Sequence, residues 1–171
     1  MWRRRILLIL LACCVFSGFT FAAGAGFDGE LVNLSEINPD IIIELKYATT
    51  DNFLQQKLYT DTTCYLLRVV AERLDQAQKL LTRDGLGLKV YDGYRPLAVQ
   101  EKMWQLMPKP GYVANPSAGG SHHNRGAAVD LTLVGANGNE LEMPTGFDTF
   151  TERAHSSVKR PHLRSGLIAY C

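Results

Sequence analysis

The chain has 171 residues, a formal net charge of +1, 46% hydrophobic residues and 20% charged ones. So even a balance gives no electrostatic reason to expect nucleic acid or an anionic membrane surface as a partner. The length suits one domain with a core of useful size.

Residues 1–25 read as a secretory leader. Trp2-Arg3-Arg4-Arg5 supplies the positive start, Ile6 to Phe16 the apolar stretch, and Phe21-Ala22-Ala23-Gly24-Ala25 small-residue cleavage sites after Ala23 or Ala25. That apolar run is short for a membrane span. The expectation is an exported protein, periplasmic or otherwise extracytoplasmic, with no stable span once the leader is gone. Cys13 and Cys14 would leave with it; Cys64 reads as a small buried hydrophobe on a helix face.

Residues 26–40 form an extended entry segment. The β-branched run Ile41-Ile42-Ile43-Glu44-Leu45-Lys46-Tyr47 predicts a strand. Between Cys64 and Leu81, apolar Leu66, Leu67, Val70, Leu74, Ala77 and Leu81 recur every three or four positions, which predicts a core-facing helix. Leu86 to Tyr91 is a buried strand, and Pro96 to Met107 a second helix with proline at its first turn. Pro108 to Gly120 is a loop, and Ala127 to Val134 a strand. Asn137-Gly138 marks a hairpin turn that returns the chain along Glu140 to Met143. Thr149 to His155 is read as the start of another helix. This order predicts an α+β fold, a small antiparallel sheet with flanking helices in a single domain.

Ser121-His122-His123-Asn124-Arg125-Gly126-Ala127-Ala128-Val129-Asp130 carries the chemistry. It places an imidazole and a carboxylate seven positions apart, one on a loop and one on a strand. Both are ligand types that zinc accepts, although a hydrolytic site usually takes three protein ligands and leaves one position open. Tyr91-Asp92-Gly93-Tyr94-Arg95-Pro96 ends a strand in a corner that displays Arg95. That guanidinium is either a structural partner of Asp92 or a functional group at the strand end.

These two segments, with Tyr47-Ala48-Thr49-Thr50-Asp51-Asn52-Phe53 before them and Met143-Pro144-Thr145-Gly146-Phe147-Asp148 after, closely resemble the zinc-dependent D-alanyl-D-alanine dipeptidases. The resemblance runs from about Leu31 to His155. It implies that His123 and Asp130 hold one Zn2+, that Arg95 stabilises the transition state, and that Asp148 receives the free amino group of a small D,D-dipeptide. Ser121 is expected to support the loop or touch substrate, and His122 has no assigned role.

The resemblance fails at the end of the chain. The family's third ligand and its general base come from a tryptophan-rich Glu-x-x-His segment well beyond the Phe-Asp motif. Glu152-x-x-His155 has that spacing but falls too early, and His162 and Cys171 are poorer candidates still. The organisation expected is therefore a leader (1–25), a dipeptidase-like domain (26–155) incomplete at its C-terminal side, and a divergent tail (156–171). Activity of such a chain is expected to be impaired. The alternatives are a D,D-carboxypeptidase acting on peptidoglycan stems, or a non-catalytic remnant that binds zinc or muropeptides.

Overall fold

A computed structural model describes residues 29–151. The leader, the Glu152-x-x-His155 spacing and the tail lie outside them. Within them the fold is α+β, as expected. Its elements are β1 (Leu31–Asn33), α1 (Leu34–Ile37), β2 (Ile42–Ile43), β3 (Tyr65–Leu67), α2 (Arg68–Thr82), β4 (Leu86–Asp92), α3 (Leu97–Leu106) and β5 (Asp130–Gly135). No helix among the described residues is long and apolar enough to cross a membrane.

Strand β4 organises the domain. It lies between β2 and β5, and all but its first and fourth residues are buried. The sheet is mixed rather than wholly antiparallel: β5 runs antiparallel to β4, but Ile42 and Ile43 pair in parallel with Lys89 and Val90. Parallel pairing needs a long crossover, and the connection from β2 through β3 and α2 supplies it. A second, two-stranded antiparallel sheet joins β1 to β3.

Helix α2 packs Ala71, Leu74 and Gln78 inward. Gln78 offsets the cost of burial by accepting a hydrogen bond from the Leu88 N–H at 2.8 Å, which ties the helix to β4. The helix begins at Arg68 rather than near Cys64. The three residues before it pair with β1 instead, because Leu66 is needed in the core and its neighbours in a ladder. Cys64 is buried as expected, but it precedes β3 and is not on a helix face. The turn at Asn137-Gly138 forms, and beyond it the returning chain makes a single bridge, Val134 to Glu140, not a full strand. Thr149 to Thr151, the described part of the expected last helix, is not helical.

Candidate metal and substrate site

The site begins at an irregularity in the ladder between β4 and β5. Val90 pairs with Leu131, but the next pair is Asp92 with Asp130, so Tyr91 is an extra residue on β4. Such a bulge bends a strand and re-aims its side chains. Here it brings the carboxylate ending β4 beside the one opening β5.

After Asp92 the chain turns at Gly93, where any side chain would collide: a Cβ there would lie 2.7 Å from Cys64 Sγ and 2.9 Å from the Tyr65 carbonyl oxygen. The buried Gly93 carbonyl receives the Nδ1 proton of His123 at 2.9 Å. His123 itself rides on a short 3-10 turn, His122–Arg125, which Ser121 caps by accepting from the His123 N–H at 3.2 Å. Gly126 ends that turn at φ +66°, and a Cβ on it would lie 2.5 Å from Leu31 Cδ2 and 3.0 Å from the Leu67 nitrogen. Only glycine fits both the backbone angle and the space.

Asp92 is the hub. It is fully buried, and burial raises its pKa, with the Arg95 charge chief among the groups opposing that rise. One carboxylate oxygen accepts from the Tyr59 hydroxyl at 2.5 Å and the Gly93 N–H at 3.0 Å. The other accepts from Arg95 Nε at 3.1 Å and Nη2 at 2.5 Å, and lies 3.3 Å from His123 Nδ1. Arg95 is further fixed by donating from Nη1 to Gln100 Oε1 at 2.8 Å, and by the Tyr47 ring 5.0 Å beneath it. Burial works against charge on Arg95, but Asp92 more than offsets it, and the group remains a cation.

With its Nδ1 proton given to Gly93, His123 turns Nε2 toward Asp130 Oδ1, 3.5 Å away. That is long for a direct hydrogen bond. It is the spacing two ligands of one ion require, since donors each about 2.1 Å from a tetrahedral metal stand about 3.4 Å apart. Asp92, His123 and Asp130 together form the one group among the described residues whose donor atoms could surround a metal. Asp92 stands on the Nδ1 side with both oxygens already engaged, so it would orient the imidazole while His123 and Asp130 face the open position. A carboxylate or carbonyl behind a ligating histidine is the usual second support of such a ring. Without a metal, burial presses the His123 pKa down, but Asp130 and Asp92 turn the net shift upward.

Arg95, Ser121, His123, Asp130 and Asp148 all line one cavity of about 540 Å³. Asp148 comes from the loop after β5, held at φ +53°, with Oδ2 accepting from the Tyr47 hydroxyl at 2.8 Å. Burial, reinforced by Asp130 and Asp92, pushes its pKa up to about 7 against the opposing Tyr47 hydrogen bond and Arg95 charge.

Comparison with known proteins agrees with this geometry. The D-Ala-D-Ala dipeptidase pattern of the M15 peptidases matches residues 28–161, most of the chain. The chain belongs to this family. The D-alanyl-D-alanine dipeptidase of Escherichia coli K12 is 42% identical over 127 residues, covering 74% of this chain and 65% of its own length. Its namesake in Enterococcus faecium is 32% identical over 149 residues, covering 73% of this chain and 72% of its own length. The chain thus spans just under two thirds of the length of the E. coli relative. Dipeptidases of this family are metallopeptidases.

Every site residue expected from the sequence lines one cavity, and Arg95 pairs with Asp92 while still bordering that cavity. His122 is exposed and contacts Arg125, away from the site. Gln100, Tyr59 and the hub role of Asp92 were not read from the sequence. Gln100 offered one signal, a polar residue in the first turn after the Arg-Pro corner, on a helix otherwise apolar at its start.

Proposed function

We propose that this chain is a zinc-dependent peptidase whose site is built for the dipeptide D-alanyl-D-alanine. The observation that carries the reading is the 3.5 Å gap between His123 Nε2 and Asp130 Oδ1, opening onto the cavity that Arg95 and Asp148 share. A zinc ion bound there supplies Lewis-acid polarisation of the scissile carbonyl and water of lowered pKa.

The chain's own residues do the rest. Arg95 presents its remaining N–H groups, in a fixed orientation, to the oxygen that gains charge during attack. A preorganised donor of this kind is worth about 3–4 kcal/mol. Asp148 receives the substrate's ammonium group, which selects a free amino end over a longer peptide. Ser121 holds the His123 turn and borders the substrate. Among the described residues the cavity carboxylates are already engaged, Asp130 with the metal position, Asp148 with the amine, and Glu140 with Lys89 at 3.0 Å. A base on the attacking water, worth typically about 10²–10⁴-fold, is not among them. We also propose, from residues 1–25, that it works outside the cytoplasm in cell-wall metabolism.

The test is D-alanine release from D-Ala-D-Ala by purified chain, with and without added Zn2+, beside binding of the dipeptide by calorimetry. Zinc-dependent binding and release that Asp148→Asn abolishes for the dipeptide, but not for amino-blocked peptides, is the expected result. Zinc-dependent cleavage of blocked or longer peptides that ignores Asp148 would instead mark a D,D-carboxypeptidase. Binding without release under any condition would leave a non-catalytic binding domain.

A further inference from the structure

Zinc held by His123 and Asp130 and the guanidinium of Arg95 act on one oxygen, so the separation between them matters as much as either group. A displacement of about 1 Å at a reacting centre can cost about 10²-fold in rate. Arg95 lies on the corner after β4, and His123 on the 3-10 turn His122–Arg125. Asp92 orients both side chains. Their backbones are joined elsewhere.

The join is a pair of hydrogen bonds at the Arg95 backbone. Its N–H donates to the His123 carbonyl at 3.0 Å, and its carbonyl accepts from Asn124 Nδ2 at 2.8 Å. The other end of the same amide, Oδ1, accepts from the Ser121 N–H at 2.7 Å, which closes the start of the turn. One partner is a backbone donor and the other a backbone acceptor, so only one orientation of the amide satisfies both. Gly120 leaves the space for it, since a Cβ there would lie 2.8 Å from Asn124 Oδ1. Asn124 is half-buried and does not line the cavity. Aspartate in its place would keep the acceptor for Ser121 but set an oxygen against the Arg95 carbonyl, and alanine would release both ends.

We propose that Asn124 is a positioning residue, which sets the Arg95 guanidinium against the metal position through its clasp on the Arg95 carbonyl. This rests on the dipeptidase reading and adds to it a residue that touches neither metal nor substrate. The clasp matters most where metal and guanidinium engage one oxygen together, in the tetrahedral state. It matters least for zinc alone or for the planar peptide before attack.

The experiment titrates zinc-loaded full chain with D-Ala-D-Ala and with its phosphinate isostere, whose tetrahedral phosphorus group copies the attacked carbonyl. Wild type is compared with Asn124→Asp and with Asn124→Ala, which controls for the charge that aspartate brings. Each is also made in an Arg95→Lys background, and zinc affinity is read by competition with a chelator. Expected are a loss of phosphinate affinity of about 10-fold in both variants and a change of less than about 3-fold for the dipeptide. Zinc affinity should not fall in Asn124→Asp, and most of the phosphinate loss should vanish beside Arg95→Lys. A purely structural role would instead weaken zinc and both ligands alike, or persist in full beside Arg95→Lys. Either result, or unchanged phosphinate affinity, overturns the proposal. If wild type binds neither ligand, the dipeptidase reading falls and this proposal with it; if wild type binds both and the variants match it, only this proposal falls.

Discussion

The two walls of the cavity are held in different ways. The wall carrying Arg95 and His123 is tied by hydrogen bonds at almost every polar atom, with Asp92 fully buried at its centre and both residues buried. The wall carrying Asp148 is a loop placed by ring packing: Tyr47 and Tyr91 on Phe147, and Phe53 and Tyr112 on Phe150. Hydrogen bonds fix direction, while ring contacts fix position and tolerate sliding. The first wall thus suits chemistry that needs a fixed guanidinium and imidazole, and the second suits admission and grip of a small substrate.

Breaking the hub should have the largest effect. Asp92→Ala strands the buried Arg95 charge and should cost about 3–5 kcal/mol in urea unfolding. Asp148→Ala, on the loop wall, should cost less than about 1 kcal/mol. Arg95→Lys keeps the charge and loses the fork that grips Asp92 and Gln100 together. It should lower kcat/KM by about 10²–10³-fold, measured on D-Ala-D-Ala with Zn2+.

On the loop wall, pH should show what the hub conceals. Asp148 binds its proton more tightly folded than unfolded, with a pKa raised from 3.8 to about 7. Its contribution to stability is therefore lost as pH rises between those values, and Asp148→Asn should remove that loss. Dipeptide affinity should rise as pH climbs through about 7, where Asp148 ionises, and fall again above the amine's own pKa of about 8. Calorimetry on wild type across that range checks the affinity, and urea unfolding of wild type and Asp148→Asn across the same range checks the stability. A milder kinetic effect than that of Arg95→Lys is expected for Phe150→Ala, which removes two ring contacts with centroids at 4.9 Å. At about 0.5–1.5 kcal/mol per pair, it should raise KM and leave kcat nearly untouched.

The contrast between the walls also marks what was legible in the sequence. Strand β4, its Gly-Tyr-Arg-Pro corner, both longer helices and the pairing of His123 with Asp130 depend on local pattern and close spacing, and all could be read there. The short strand β1 could not, because its three residues gain their meaning from Tyr65–Leu67, more than thirty positions away. The same pairing displaced the start of α2, whose apolar spacing continued smoothly back to Cys64. The parallel placement of Ile42 and Ile43 was hidden too, since a β-branched run announces a strand but not its direction. Gln100 looks like an ordinary helix residue until Arg95 and the Ala114 carbonyl are seen on either side of it. Side chains that act through other side chains leave little trace in a linear pattern.

Gly93 has one more consequence. Its backbone rests against the Cys64 sulfur on one side and steers the His123 ring through its carbonyl on the other. The thiol, with burial pushing its pKa up to about 12, is inert to ordinary reagents and acts only through its size. Exchanging Cys64 for a bulkier core residue would lift the corner and tilt the imidazole. A substitution with no access to solvent, and no contact with substrate, would then register as a change in zinc affinity.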